Sequence, residues 1–339
     1  MKTKAAVLHA PGDLRVEEVD LPELSEKDIL IRVEACGVCP FDIRLYLGLS
    51  KLPLPKVLGH ELAGVVVRVG EKVSRVRPGD HVVADPMVRD LTCPFCRRGE
   101  ENLCMNAKWP VVGFTEYTIA PEENVYKISQ ASFFEAALAE PLAAVINSVE
   151  RSKIRLGDDV VVIGDGPNGL LHLKMAYISG AARVIVTGLM EHRLERALRY
   201  GATEVVNVAK EDPIKVIKDI FGEHGADRVY ITVGSKEALL QGLKMVRKGG
   251  TVIQFAGIYP EADVSISARF IHYSEAYLTG TTNSTREQFR RAVKLLDTMR
   301  IDVSDYVTHK YPLEKSEEAL QTAKSLKGFK VMVVPTMKK

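Results

Sequence analysis

The chain has 339 residues, of which 46% are hydrophobic and 27% charged, and its formal net charge is +2. This length and composition are typical of a globular protein with about two domains, and the balanced charge argues against nucleic acid as a partner. The N-terminus lacks the apolar segment of a signal peptide, and no apolar run reaches the roughly 18 residues that span a bilayer. We therefore expect a cytoplasmic protein with no membrane or nucleic-acid partner.

Short strands separated by turns are predicted for about the first 130 residues. The runs KAAVLHA, DILIRVEA and VLGHELAGVVVRVG are short and β-like, and Pro-Gly and Pro-Glu turns separate the first two. A chain segment of this kind predicts a β-rich barrel or sandwich.

The pattern changes at Ser132, where apolar residues take helical spacing that Pro141 is expected to interrupt. Beyond it, the runs VVVIG, RVIVTG, EVVNV, RVYITVG and TVIQFAG alternate with helical segments. Continuous β-branched strands separated by helices predict an α/β domain with a doubly wound parallel sheet. The tail ends in a strand-like run that could pair back into the first domain.

One candidate metal site combines Cys39 with the consecutive residues His60 and Glu61. Thiolate, imidazole and carboxylate are the side chains that bind Zn²⁺. Glu140 is a fourth candidate, since it is a carboxylate beside a proline in an apolar stretch. The alternatives are a buried cysteine with a core histidine, or a redox pair of Cys36 and Cys39, which normally lies near a βαβ unit.

A second candidate metal site lies in a short loop with three of the chain's five cysteines. Cys93 and Cys96 form a C-x-x-C pair, Cys104 follows, and Asp90 lies three residues before the pair. This spacing is typical of zinc, and four ligands without an open position predict a structural ion. The alternative is a loop with three free thiols.

A glycine-rich turn follows the run DDVVVI and opens a helix. It predicts binding of a dinucleotide, because the glycines permit close approach of a pyrophosphate at the helix N-terminus. Asp165 places a negative charge in the turn, which is unfavourable unless its side chain points away. The cofactor-binding residues predicted here are Gly164, Gly166, Pro167, Asn168 and Gly169.

The second strand of the parallel sheet ends without the acid that usually binds the ribose hydroxyls. The run RVIVTG ends at Gly188, and Arg193 follows in the next helix. Without the acid, a 2′-phosphate meets less repulsion and can pair with the arginine. This favours NADP over NAD. The alternative is that Arg193 is solvated and Glu191 binds the ribose.

Several motifs together resemble the zinc-dependent medium-chain alcohol and polyol dehydrogenases, near the sorbitol and threonine dehydrogenase branch. The resemblance covers essentially the whole chain. Its markers are GVC-x-x-D at 37–42, GHE at 59–61, RPGD at 77–80, the cysteine loop at 90–104, AEPL at 139–142 and GDGPNG at 164–169.

The resemblance implies a GroES-like catalytic domain at 1–148 with a structural zinc lobe at 86–107, a Rossmann-type domain at 149–284, and a returning segment at 285–339. It also implies a dimer or tetramer and two zinc ions per chain. Asp42 would orient His60, and Lys330 would lie near the cofactor phosphates. The implied zinc ligands are Cys39, His60, Glu61 and Glu140 at the catalytic ion, and Asp90, Cys93, Cys96 and Cys104 at the structural ion.

The implied reaction is reversible hydride transfer between NAD(P) and a secondary alcohol, polyol or sugar-type substrate. Phe41 and Arg44 stand where the family usually has a Ser or Thr and often a His to relay the proton. Neither residue can relay it in that way. We expect Phe41, Arg44 and Trp109 to line the substrate pocket. The alternatives are a zinc- and NADPH-binding protein with little catalysis, and a zinc-independent reductase of the same fold.

Overall fold

A computed structural model describes residues 1–50 and 52–337. The strands are β1 Lys2–Ala10, β2 Asp13–Asp20, β3 Asp28–Gly37, β4 Lys56–Val57, β5 Glu61–Val69, β6 His81–Ala84, β7 Tyr117–Pro121, β8 Val125–Lys127, β9 Asp159–Ile163, β10 Arg183–Gly188, β11 Glu204–Asn207, β12 Ala226–Ile231, β13 Val246–Gln254, β14 Tyr277–Gly280, β15 Val307–Pro312 and β16 Lys330–Val334. The helices are α1 Pro40–Tyr46, α2 Pro94–Arg97, α3 Phe133–Ala136, α4 Ala139–Ser152, α5 Pro167–Ile178, α6 Glu191–Arg199, α7 Pro213–Phe221, α8 Lys236–Met245, α9 Ala268–Ser274, α10 Arg286–Asp297 and α11 Ser316–Lys324. Across the described residues, we find no helix with the length and apolar character needed to cross a membrane.

The chain forms two compact units, one of residues 1–143 and 284–339 and the other of residues 144–283. The first unit is β-rich. Its larger sheet has the order β15-β16-β3-β5-β6-β8, with β7 also paired to β3, and its smaller sheet has the order β2-β1-β4. The strand β16 pairs antiparallel with β3, so the segment after the second unit returns to the larger sheet of the first unit.

The antiparallel pair β3 and β5 brings the motifs of the first candidate site together. Gly37, the last residue of β3, is the register partner of Glu61, the first residue of β5. The chain leaves β3 towards Cys39 and enters β5 from His60. Strand register therefore brings two motifs that are more than twenty residues apart together at the same end of this strand pair.

The second unit is a parallel sheet with the order β11-β10-β9-β12-β13-β14. All its neighbouring strands are parallel, and numbering them along the chain gives the doubly wound order 3-2-1-4-5-6. The order reverses direction between β9 and β12. Dinucleotides bind beyond the carboxyl ends of the strands at such a reversal, and the glycine turn lies there, directly after β9.

Pro141 does not interrupt a helix as its position in the sequence suggested. The helix α4 begins at Ala139, so Pro141 lies in its first turn, and the break falls earlier, after α3 ends at Ala136. A proline in the first turn costs no hydrogen bond, because the backbone N–H groups there have no partner within the helix.

His172 is fully buried in the middle of α5, below the glycine turn. Its Nδ1 donates to the carbonyl of Asn168 at 2.7 Å, which leaves Nε2 to accept from the hydroxyl of Ser148 at 2.9 Å. The rings of Tyr230 and Phe255 pack against it at 4.9 and 4.7 Å between centroids. Burial lowers the pKa of His172 to about 4, and no charged group contributes to this shift.

This lowered pKa predicts that acid destabilises the second unit. The unfolded chain binds a proton below pH 6.5 and the folded one only near pH 4, so stability is lost as the pH falls through this range. The loss should approach about 3 kcal/mol, at about 1.4 kcal/mol per pKa unit. Chemical denaturation between these pH values should show it, and H172Q should flatten the profile. The exposed His224 supplies the control, and an H224Q profile as flat as that of H172Q would contradict the assignment.

Candidate active site, metal loop and cofactor turn

Cys39, His60 and Glu61 form a cluster in the first unit. One ligand atom from each residue lies within 4.8 Å of those of the other two. Glu61 is buried, whereas Cys39 and His60 are partly exposed. A thiol, an imidazole and a carboxylate at this spacing are the donors that a zinc ion with an open coordination position requires, so the residues present fit that ion.

Asp42 holds the two segments of this cluster together. Its Oδ2 accepts from the backbone N–H of Cys39 at 2.9 Å, and its Oδ1 accepts from the backbone N–H of Gly59 at 3.1 Å. The same Oδ1 lies 3.6 Å from Nδ1 of His60. Cys39 is the N-cap of α1 and Asp42 its third residue, so the run Cys-Pro-Phe-Asp positions the carboxylate as a capping box.

The backbone at Gly59 explains why glycine precedes His60. Its φ of +81° is in the left-handed region, and a Cβ there would lie 2.3 Å from Cδ1 of Phe114.

The pKa of His60 is set by its neighbours. Burial alone would lower the pKa of its imidazole, but the charges of Cys39 and Asp42 raise that pKa well above its ordinary value.

Glu140 and Lys330 adjoin the cluster without belonging to it. Burial raises the pKa of Glu140 to about 7, with smaller effects from His60, Glu61 and Lys330. The ammonium of Lys330 forms an ion pair with Glu61 and donates to the carbonyl of Val38 at 3.2 Å. The observed partners of Lys330 are therefore at the metal cluster, and its predicted contact with cofactor phosphates remains a prediction.

The three residues expected in the substrate pocket have different surroundings. The ring of Phe41 lies edge-on to His60 at 5.9 Å between centroids, and the guanidinium of Arg44 lies 5.8 Å from the ring of Phe41. Phe41 therefore contacts the candidate metal site through His60, and the guanidinium of Arg44 lies near the same ring. Trp109 is 45% exposed, between β6 and β7, and its role in the pocket remains a prediction.

Asp90, Cys93, Cys96 and Cys104 form the second cluster, again with ligand atoms within 4.8 Å of one another. Asp90 Oδ1 accepts from the backbone N–H of Cys93 at 3.1 Å and lies 3.4 Å from Sγ of Cys104. These donors fit a closed zinc site. The hydrophobic cluster of this loop consists of the cysteines with Met87, Phe95 and Ala107. So small a core fits a loop that a metal would stabilise.

A buried ion pair at the base of this loop was not apparent from the sequence. Arg89 donates to Asp85 Oδ2 and to the carbonyl of Met87, each at 2.6 Å, and to the carbonyl of Ser284 at 2.5 Å. The side chains of Asp85 and Arg89 are 2% and 1% exposed. The pair joins the loop to the start of α10, where Glu101 also binds Arg286. No local motif marks such a long-range contact.

The glycine turn in the second unit has the expected close packing. A Cβ on Gly169 would lie 2.0 Å from the carbonyl oxygen of Gly164, so only glycine allows the helix to start this near the strand. Gly166 is the N-cap of α5, and Pro167 and Asn168 open its first turn. The free N–H groups of that turn suit a pyrophosphate.

The residues after β10 are arranged around Asp165. Gly188 ends β10, and the carboxylate of Asp165 accepts the N–H groups of Leu189 and Met190. Arg193 is 4% exposed, and Glu191 binds Asn207 and Lys210. The burial of Arg193 contradicts the alternative in which this arginine is solvated. Glu191 uses one carboxylate oxygen for both partners and its side chain is 59% exposed, so its binding of the ribose remains a prediction.

Two family models match the two halves of the chain. Residues 25–130 match the alcohol dehydrogenase GroES-like domain, and residues 167–298 match the zinc-binding dehydrogenase domain. The predicted combination of a GroES-like and a Rossmann-type domain is thereby confirmed.

Curated relatives and solved structures extend this likeness to the whole chain. Sorbitol dehydrogenase of Bacillus subtilis is 32% identical, with 98% of this chain and 97% of the relative covered. D-xylulose reductase of Saccharomyces cerevisiae is 32% identical, with 94% and 93% covered. A zinc-binding dehydrogenase of Sinorhizobium meliloti, solved with NADP bound, superposes with a TM-score of 0.93 at 29% identity, covering 99% of this chain and 100% of that one. The chain therefore belongs to the zinc-dependent medium-chain alcohol and polyol dehydrogenases, which are oxidoreductases that use NAD(P).

Proposed function

We propose that this enzyme interconverts a secondary hydroxyl of a polyol or sugar-type substrate and the corresponding ketone, with NADP as its preferred coenzyme. The observation that carries this proposal is the cluster of Cys39, His60 and Glu61 beside the partly buried Glu140. The naming of relatives as sorbitol dehydrogenase and D-xylulose reductase supports the substrate class.

The chain would hold two zinc ions, one at each cluster. Cys39, His60 and Glu61 would bind the catalytic ion, with Glu140 as a direct or water-bridged ligand, and the cluster of Asp90 and three cysteines would bind the structural ion. Zinc at the first site would polarise a substrate oxygen and lower the pKa of its hydroxyl. Asp42, whose Oδ1 lies 3.6 Å from Nδ1 of His60, would orient the imidazole as a ligand.

The proton must leave by a route other than the usual hydroxyl relay. Phe41 has no exchangeable proton, and its ring stands against His60. We propose that the proton leaves through a water held by the carboxylate of Glu61 or Glu140, since carboxylates are suitable general bases. The alternative exit is the ribose of the cofactor. Phe41 would also shape the pocket, because it replaces a small polar side chain by a ring.

The preference for NADP rests on the end of β10. Neither Thr187 nor Gly188 is an acid, and Arg193 follows in α6 as a cation for the 2′-phosphate. The carboxylate of Asp165, which binds the N–H groups just after β10, works against this preference. The relative that was solved with NADP supports the same coenzyme. We further propose that the chain assembles as a dimer or tetramer and acts on a small molecule rather than on nucleic acid or membrane.

A substrate panel tests this function most directly. Purified enzyme would be assayed with NADP and with NAD on simple alcohols, polyols, sugars and 3-hydroxy amino acids. We expect the highest kcat/KM on a polyol or sugar-type secondary alcohol with NADP. A preference for 3-hydroxy amino acids would overturn the substrate class. Absence of turnover with zinc and coenzyme bound would favour the non-catalytic alternative, which no relative supports.

A further inference from the structure

Asp165 lies inside the glycine turn, but its side chain points to the neighbouring strand. Its Oδ2 accepts the backbone N–H groups of Leu189 at 2.9 Å and Met190 at 2.8 Å, and the residue is 9% exposed. This contact spans more than twenty residues of sequence. These two hydrogen bonds explain how a negative charge is tolerated in the glycine turn, because the carboxylate binds backbone donors after β10.

Gly188 leaves the space that this carboxylate fills. A Cβ on Gly188 would lie 2.4 Å from Oδ2 of Asp165 and 2.5 Å from its Cβ. Asp165 and Gly188 are therefore a packed pair. The carboxylate that such folds usually carry at the end of the second strand is here supplied by the turn after the first strand.

Two consecutive backbone N–H groups that converge on one oxygen form an anion-binding nest. Residues at the end of the second strand in this fold meet the ribose 2′ position of the cofactor. In this chain, the nest at that point already holds an anion that belongs to the protein. A 2′-phosphate thus meets a fixed negative charge and finds the two donors taken.

Arg193 opposes this effect. Its Nη1 lies 4.0 Å from the point that a Cβ on Gly166 would occupy, so the guanidinium lies beside the glycine turn. Burial lowers the pKa of Arg193, and the charge of Asp165 partly offsets that effect. The cation that could attract a phosphate is therefore partly neutralised by its own neighbour.

We propose that Asp165 is a specificity-determining residue, whose carboxylate occupies the anion nest after β10 and limits the affinity for a 2′-phosphorylated coenzyme. This rests on the proposed function only in taking NAD(P) as the ligand. Removing the charge while keeping an acceptor oxygen should strengthen NADP binding, because one repulsive charge disappears and Arg193 keeps its full attraction. Binding of NAD, which has no 2′-phosphate, should change little.

Equilibrium binding of NADP and NAD to the wild type and D165N tests the proposal. We expect about tenfold tighter NADP binding in D165N, for one charge removed near a dianion. NAD affinity should stay within about threefold. R193Q in the D165N background should remove the gain. Equal changes for both coenzymes, or no gain for NADP, would overturn the proposal.

Two further variants control this measurement. E195Q removes an exposed carboxylate from the same helix as Arg193, and it should leave the NADP to NAD ratio as in the wild type. If D165N does not fold, D165S keeps a hydroxyl acceptor without the charge. The result to compare is the ratio of NADP affinity to NAD affinity in each variant, relative to the same ratio in the wild type. A wild type that prefers NAD would refute the proposed NADP preference and leave this test intact.

Discussion

Replacing Cys39 with alanine should remove one of two zinc ions and reduce kcat/KM by about a thousandfold or more, since metal stabilisation of the transition state amounts to several kcal/mol. The side chain is one of three candidate ligands whose donor atoms lie within 4.8 Å of one another. Its loss removes the thiolate and leaves His60 with the carboxylates of Glu61 and Glu140, a set that we expect to bind zinc too weakly to retain it through purification. Elemental analysis of purified protein, together with initial rates on the best substrate, provides the measurement.

Cys36 supplies a matched control for this variant. It is fully buried three residues earlier, and its Sγ lies 3.7 Å from the carbonyl of Gly37. C36A should keep both zinc ions and cost only about 1 kcal/mol of stability through lost packing. Coenzyme affinity should be unchanged in C39A, because the glycine turn belongs to the other compact unit. Two zinc ions in C39A, or an equal loss in C36A, would refute the ligand assignment.

Local patterns predicted much of the fold and the candidate sites. The β-branched runs between helices predicted the parallel sheet, because strands covered by helices on both faces must be apolar throughout. The glycine turn was predictable because close approach of α5 to β9 admits no side chain at Gly169. The cysteine loop was predictable because structural zinc sites typically take pairs of ligands at C-x-x-C spacing.

Features that depend on distant contacts were not predictable in the same way. The meeting of Cys39 with His60 depends on strand register, in which Gly37 faces Glu61. The partner of the Asp165 carboxylate, and the ion pair of Asp85 with Arg89, are set by tertiary packing. Pro141 was misinterpreted because a proline signals a helix boundary without showing on which side the helix lies.

The largest loss of stability is expected from R89M. The methionine removes three hydrogen bonds and leaves the carboxylate of Asp85 buried without its cation. Removing one partner of a buried ion pair costs about 3–5 kcal/mol. The midpoint of chemical denaturation should fall accordingly. R290M removes the exposed partner of Glu287, and its cost should be at most about 0.5 kcal/mol, as is usual for surface pairs.

The pH dependence of R89M separates the lost charge pair from lost packing. Burial already raises the pKa of Asp85 in the presence of Arg89, and removing the cation should raise it further. A carboxyl whose pKa is higher in the folded state binds its proton more tightly there, so stability falls as the pH rises through that pKa. The deficit of R89M should therefore be larger at neutral than at acid pH. The double variant D85N/R89M should recover part of the loss at neutral pH, since no buried charge remains. A deficit independent of pH, with no recovery in the double variant, would show that packing around Arg89 rather than its charge stabilises the metal loop.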